Sequence, residues 1–299
     1  MHEHPIYTQT RTKQLLATYG LRAKKSLGQH FMIDGNVLRA MVAAVPPEAV
    51  VIEIGPGLGA LTEQLAQRVH AVVAVEIDVH MVRVLQDVLA PYAHVHIVHA
   101  DVLRIQWQQL YTEMIAPYGA ERPVYVVANL PYYVTTPIVL AVLRDAVFVR
   151  TAIVMMQEEV CARMTASPCT KAYGSLSIAI AYYAHAHMMR TIPATAFYPP
   201  PHVQSAVMRL DRRDIPPVMV HDEQVLFALV RAAFAHRRKT LSNNIASLLP
   251  DRDAKAVCAE WLRAAGIDGQ RRGETLDIAQ FAALANHAPA VLRTDGAMI

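Results

Sequence analysis

The chain has 299 residues, 54% hydrophobic and 18% charged: enough apolar material for one large domain, or one domain and a smaller one, and too little charge for disorder. A formal net charge of +3 excludes inferring a nucleic-acid partner from the total, so any such partner has to come from local clusters. Three cysteines, Cys161, Cys169 and Cys258, form no C-x-x-C pair, which argues against a disulfide framework and a structural zinc site; no apolar run approaches about 18 residues and Met1 to Pro5 shows no basic-then-apolar signal pattern, so the expected setting is the cytoplasm, away from membranes.

Residues 1–30 read as a basic, polar N-terminal segment, a solvated tail or helix face, with Arg11, Lys13, Arg22, Lys24 and Lys25 against the single acid Glu3. Its end, Lys24-Lys25-Ser26-Leu27-Gly28-Gln29-His30-Phe31, precedes a helix expected over 36–44. Strands are expected at 50–54, 71–76, 94–99, 124–128, 152–156, 176–183 and 205–210, with helices between the first five. That is the βαβ rhythm of a mostly parallel sheet covered on both faces. The last two candidates are joined by a short proline-bearing stretch, 192–201, too short for a helical crossover, which implies an antiparallel hairpin at the sheet edge. Residues 211–217 read as a linker. From about 221 to 287 apolar residues recur at helical spacing (Val225, Leu226, Leu229, Val230, then Trp261, Leu262, then Phe281, Leu284), predicting a small all-helical domain over 218–290 behind a domain over 31–212. Of the fourteen histidines, His94, His96 and His99 crowd one strand, but with no H-E-x-x-H and no cysteine at ligand spacing they read as strand surface, and no metal is expected.

Val50 to Gly59, V-V-I-E-I-G-P-G-L-G, organises the chemistry. A buried β-branched strand turns through Gly55, Gly57 and Gly59 into a helix, bringing backbone up to a ligand. Glycines alone also make ordinary tight turns. Glu76, about 20 residues past the loop at the end of the next apolar run, stands where a ribose diol would be gripped. The third glycine comes one residue too early for the dinucleotide pattern G-x-G-x-x-G; E-x-G-x-G-x-G resembles motif I of the S-adenosylmethionine-dependent methyltransferases, whose ligand has no pyrophosphate. In open α/β sheets ligands sit beyond the carboxyl ends of the strands. Gly55, Glu76, Asp101 and Asn129 each follow an apolar run directly, so one crevice would hold them all. Asp101 suits an exocyclic amine, or else a helix N-cap.

Asn129-Leu130-Pro131-Tyr132 resembles motif IV, [DNS]-P-P-[YFW], of enzymes that methylate exocyclic amines of nucleobases. An adenine amine is a poor nucleophile because its lone pair is delocalised into the ring. Two carbonyl acceptors, the Asn129 side chain and the Leu130 main chain, would hold that lone pair toward a methyl donor and favour charge developing on nitrogen. Pro131 would fix the backbone and Tyr132 offers a stacking face. A turn after a strand, built from Asn and Pro, is the plainer reading.

The chain resembles the small-subunit ribosomal RNA adenine dimethyltransferase family, from about Lys24 to Asn244. The resemblance is carried by Lys25 to Phe31, Glu53 to Gly59, Asn129 to Tyr133, Lys171-Ala172-Tyr173-Gly174-Ser175-Leu176-Ser177, Phe197-Tyr198-Pro199-Pro200-Pro201, Val203 to Val207 and Arg237-Arg238-Lys239-Thr240-Leu241. It implies a Rossmann-like methyltransferase fold with an antiparallel edge hairpin, an α/β class, plus a helical C-terminal domain. It implies dimethylation of two adjacent adenosines in a 3′-terminal hairpin loop of small-subunit RNA, by a monomer acting on an immature 30S-like particle. His30, Met32, Gly55, Gly57, Glu76, Asp101 and Asn129 fall where the family meets S-adenosylmethionine, and Phe197 falls where an aromatic packs on the target base opposite Tyr132. Family members often have Asn where His30 stands and Leu where Met32 stands. With the resemblance in place, Lys24, Lys25, Lys171, Arg231, Arg237, Arg238 and Lys239 become an expected RNA-backbone surface rather than solvated helix ends. Two other readings compete. Enzymes that methylate an adenine of large-subunit RNA tend to carry Ile where Leu130 stands and lack much of the 197–207 pattern. A non-catalytic assembly factor keeping the fold has no need of intact Glu76, Asp101 and Asn129 to Tyr132.

Overall fold

Continuous β-branched runs mark strands buried on both faces. In a computed structural model, which describes residues 4–23, 28–250 and 253–292, every residue of β2 (Val50–Ile54) and β3 (Ala71–Glu76) is buried. β2 pairs in parallel with β3 on one side and β5 (Val124–Asn129) on the other, Val50 lying opposite Ala71 and Val124. β4 (Val95–His99) and β6 (Val149–Gln157) extend the parallel sheet outward, and β9 (Ser205–Arg212) runs antiparallel to β6. With β7 (Ala184–Ile192) beside β9, the order is β4-β3-β2-β5-β6-β9-β7. A separate antiparallel ladder joins β1 (Phe31–Met32) to β8 (Phe197–Tyr198), Met32 opposite Phe197.

The helices are α1 (Gln9–Thr18), α2 (Gly35–Ala43), α3 (Ala60–Ala66), α4 (Val79–Val88), α5 (Trp107–Leu110), α6 (Thr135–Asp145), α7 (Glu158–Met164), α8 (Ser175–Tyr183), α9 (Glu223–Ala235), α10 (Leu241–Ile245), α11 (Ala254–Ala264) and α12 (Ile278–Asn286). Side-chain caps start several of them: Asp34 accepts from Asn36 N at 2.8 Å and Asp222 from Gln224 N at 2.8 Å.

Two expectations change. Residues 176–183 form α8, and the strand follows at 184–192. Leu176, Ser177, Ile178, Ala179, Ile180 and Tyr182 of α8 are all buried, so the helix shows no polar face and its apolar run reads like a strand. β7 is an exposed edge strand, A-H-A-H-M-M-R-T-I, whose apolar pattern is correspondingly weak. The N-terminal segment is also more than a tail. Thr8 caps α1, and Leu15 and Leu16 pack with Phe31, Leu58, Met81 and Leu85.

The chain divides into two compact units, Met1–Cys161 with His185–Arg212, and Ala162–Ala184 with Arg213–Ile299. Residues 162–184, expected from the sequence within 31–212, therefore group with the helical C-terminal part. In that second unit Leu226, Leu229, Trp261, Phe281 and Leu284 form the core. Buried N–H groups there find partners: Trp261 Nε1 donates to Leu284 O at 2.8 Å, and Asn244 Nδ2 donates to Ala233 O at 2.9 Å at the end of α9, while Asn244 Oδ1 has none among the described residues.

Candidate active site

Chain order turns back on itself at β2, which leads outward to β3 and β4 on one side and to β5 and β6 on the other. Crevices form at the carboxyl ends of strands at such a switch. A cleft there is lined by Gly55, Gly57, Glu76, Asp101 and residues 129–133, and on the N-terminal side by Thr12, His30 and Met32. Gly55, Gly57 and Gly59 have φ of 69°, 58° and 89°, the left-handed region that only glycine enters without strain. At Gly57 a Cβ would come within 3.4 Å of the Phe31 ring.

The loop's amides are spent within the chain. Gly55 N donates to Val75 O at 2.9 Å, Gly59 N to Pro56 O at 2.9 Å, and Gly57 N to Glu76 Oε2 at 3.2 Å. A phosphate would find no free donor on these glycines, so the loop serves a ligand approached through shape and side chains. Glu76 is only 5% exposed, and its Oε1 accepts from Asp78 N at 2.8 Å. Burial raises its pKa against the opposing pull of the Asp78 and Gly57 amides. Two carboxylate oxygens have more acceptor sites than the backbone amides of Gly57, Ile77 and Asp78 occupy, which leaves capacity for a hydroxyl donor.

Below the loop lies Glu53, 1% exposed and lining the same cleft. Burial pushes its carboxyl up to about 8; the Thr62 hydroxyl works in the other direction and the charge of Glu76 adds to the rise. Its Oε2 has no hydrogen-bond partner. In the sequence Glu53 stands out only as the start of a motif, since a strand's alternation does not reveal an unpaired acid. Thr12 on α1, 1% exposed and lining the cleft, is absent from the sequence-based site; its spacing with Leu15 and Leu16 is the signal that could have found it. Asp101 both lines the cleft and closes a turn, its Oδ1 accepting from Leu103 N at 3.0 Å and its other oxygen lying 3.5 Å from the exposed Arg104.

The end of β5 carries the geometry that matters for a base. Asn129 Nδ2 donates to His30 O at 3.1 Å, which settles the carboxamide's orientation and leaves Oδ1 as an acceptor with no partner among the described residues. Leu130 N donates to Met155 O at 3.0 Å, while the Leu130 carbonyl accepts nothing among the described residues. Pro131 O takes the Val134 amide at 3.2 Å and the Thr135 hydroxyl at 2.9 Å, which holds the turn. The half-buried Tyr132 stacks on the His30 ring (centroids 5.6 Å apart, planes at 24°), and its hydroxyl bonds to Ser205 Oγ at 2.6 Å.

Phe197 sits differently from the residues above. It does not line the cleft: it is 2% exposed, packed in the hydrophobic core with Met32, Leu38 and Val207. The β1–β8 ladder sets it opposite Met32, which does line the cleft.

In the helical unit Lys171, Arg231, Arg238 and Lys239 are exposed. Arg237 is partly committed, donating to Lys171 O at 2.8 Å and Tyr173 O at 3.3 Å and pairing with Glu274 at 3.1 Å. Leu241 N bonds to Arg271 O at 2.6 Å and Ser242 N to Gly269 O at 3.1 Å, so the turn bearing the exposed Arg272 lies beside the loop 236–240. Arg272 escapes a sequence-based reading because it lies about 30 residues from that loop along the chain. Lys24 and Lys25 lie outside the described residues. Among the described residues no three or more His, Cys, Asp or Glu side chains form a group that could hold a metal ion, and no helix is long and apolar enough to cross a membrane.

This sheet order, with an acid-led glycine loop at the switch point and a second acid, Glu76, in the same cleft, places the chain among the S-adenosylmethionine-dependent methyltransferases. The family model described as ribosomal RNA adenine dimethylase matches residues 20–285, and the chain belongs to that family. It is 51% identical over 289 residues to a ribosomal RNA small subunit methyltransferase A of Geobacillus thermodenitrificans, covering 96% of this chain and 97% of the relative. A protein of the same description from Listeria monocytogenes is 49% identical over 284 residues, covering 94% and 96%. Among solved structures, a dimethyladenosine transferase from Plasmodium falciparum superposes with a TM-score of 0.68 at 20% identity (85% of this chain, 95% of that one). The 23S rRNA methyltransferase ErmE superposes with a TM-score of 0.60 at 23% identity (86% and 98%). At those identities the two structures speak for the fold alone.

Proposed function

We propose that this chain transfers methyl groups from S-adenosylmethionine to the N6 amines of two adjacent adenosines in a 3′-terminal hairpin loop of small-subunit rRNA, in the cytoplasm, on an immature small-subunit particle. The observation that carries the reading is the Asn129 carboxamide, whose Nδ2 is held by His30 O at 3.1 Å so that Oδ1 is left to accept. Oδ1 and the Leu130 carbonyl then take the two N–H bonds of an adenine amine. The nitrogen lone pair turns out of conjugation toward the cofactor's sulfonium methyl, and charge developing on nitrogen meets two fixed acceptors. Tyr132 holds the base by stacking on a face braced through Ser205. Once methylated, the ammonium is acidic enough to lose its proton to water, so no strong base is needed. Gly55, Gly57, Glu76, Asp101, His30 and Met32 form the cofactor's share of the cleft, Glu76 receiving the ribose hydroxyls. Glu53, with its unpartnered Oε2, lies in the same share of the cleft.

RNA is held by the helical unit through Lys171, Arg231, Arg238 and Lys239, with Arg272 added and Arg237 shared between RNA and its own fold. The relatives near 50% identity favour the small-subunit substrate over the large-subunit alternative, which the fold by itself does not separate. The test is methyl transfer from labelled S-adenosylmethionine to small-subunit particles from cells lacking this chain, followed by mass spectrometry of the adenosines. Dimethyladenosine at two neighbouring positions is expected. No transfer, or transfer to large-subunit RNA alone, would overturn the reading.

A further inference from the structure

We infer that the His30 imidazole, and not only its main chain, is a positioning residue that aligns both groups holding the target base. The inference rests on the methyl-transfer reading above and adds a role for a side chain that the reaction does not itself require. Three interactions converge on His30. Its Nδ1 lies 2.8 Å from Pro199 O, its own carbonyl receives Asn129 Nδ2 at 3.1 Å, and its ring stacks on Tyr132 at 5.6 Å.

The first of these fixes the proton. A proline carbonyl only accepts, so Nδ1 must carry hydrogen and, in neutral imidazole, Nε2 is bare. This ties the His30 residue to the segment just after β8, 169 positions along the chain. That tether in turn holds the His30 carbonyl in front of Asn129. Were the Asn129 carboxamide turned over, its Oδ1 would face an oxygen and both would repel; with the carbonyl in place, only the orientation that frees Oδ1 is satisfied. The stack does the corresponding work for Tyr132, whose other restraint is the bond to Ser205 at the far end of the ring. One side chain thus sets the acceptor that aligns the amine and the ring that holds the base. A displacement of about 1 Å in such a constellation costs on the order of 100-fold in rate.

Two variants separate the roles of the donor and the ring. His30→Asn keeps an N–H donor that reaches Pro199 O and removes the ring. His30→Phe keeps the ring and removes the donor. In single-turnover transfer to small-subunit particles, His30→Ala is expected to lose on the order of 100-fold in rate at saturating cofactor. His30→Asn should recover most of that rate while its KM for RNA stays raised. His30→Phe should show the reverse, a near-normal KM with a slow chemical step. Because His30 also lines the cofactor's share of the cleft, cofactor affinity is measured for all three variants and the rates are compared at saturating cofactor, so that weaker cofactor binding does not enter the comparison. Nitrogen NMR of the histidine rings supplies a readout independent of turnover, with the His30 proton expected on Nδ1. An active wild type accompanied by an equally active His30→Ala overturns the inference, as does a proton found on Nε2 or His30→Asn recovering no rate over His30→Ala. A wild type that transfers no methyl to RNA removes the functional reading, and this inference falls with it.

Discussion

Glu53→Gln tests the electrostatics at the floor of the cleft. A carboxyl with an ordinary value of 4.5 is pushed to about 8 in the folded chain, chiefly by burial. Between those values the folded chain keeps a proton that the unfolded chain has released, so the folded state binds more protons and stability falls as pH rises through the window. The slope is about 1.4 kcal/mol per pH unit, and over the full window the loss comes to about 5 kcal/mol. Glutamine removes the titration from both states at nearly constant volume, and its amide still faces the Thr62 hydroxyl, the group that opposes the rise in the wild type. Urea unfolding of the two proteins is expected to give similar stability near pH 5 and a gap that widens with pH, levelling above pH 8 with the variant the more stable. Two parallel stability curves from pH 5 to 9 would refute the argument that the carboxyl is buried without compensation.

Asn129→Ala should reduce methyl transfer by at least about 100-fold, read in single turnover at saturating cofactor, while circular dichroism shows the fold kept; near-normal turnover would remove the assigned role. Phe197→Ala should behave as a core truncation, losing about 3 to 5 kcal/mol of stability by denaturant titration, and a folded variant with normal stability and poor RNA binding would restore the aromatic to the site. Arg238→Glu with Lys239→Glu should weaken RNA binding uniformly and flatten its salt dependence by about one unit of slope for each phosphate left without its cation. Arg237→Ala should in addition lower the melting temperature, because that guanidinium also holds Lys171 O, Tyr173 O and Glu274. Cys169 is exposed, whereas Cys161 and Cys258 are buried, with burial pushing the Cys161 thiol up to about 12. A thiol reagent at neutral pH should therefore find one fast group in the native chain and three after unfolding; two or more fast thiols would contradict the packing.

What the sequence made legible follows from how a parallel sheet buries its strands. β2, β3 and β5 are covered on both faces, so each is mainly apolar, broken within β2 only by Glu53, and the residue that ends each run stands at the carboxyl edge. Gly55, Glu76 and Asn129 could be placed side by side on that ground, and the structure brings them into one cleft. The same logic fails where burial and element type part company. α8 is buried nearly all round and so resembles a strand, whereas β7 is an exposed edge and hardly resembles one. The burial of Phe197 was hidden for a related reason: nothing in Phe197-Tyr198-Pro199-Pro200-Pro201 announces the two-residue ladder that sets Phe197 opposite Met32.

Least legible are the restraints on side-chain orientation, which depend on residues far apart in the chain. Asn129 is 99 positions from the carbonyl that orients it, and that carbonyl is held through a ring whose own partner stands 169 positions from it. A motif can say that an amide stands at the end of a strand. Which of its two ends faces the cleft is decided by a two-residue ladder between β1 and β8, which carries His30 and Pro199 at its flanks and has no periodicity from which it could be read. The chemistry of the amine depends on that choice, since an Nδ2 donor in place of an Oδ1 acceptor would repel the very hydrogens it has to align.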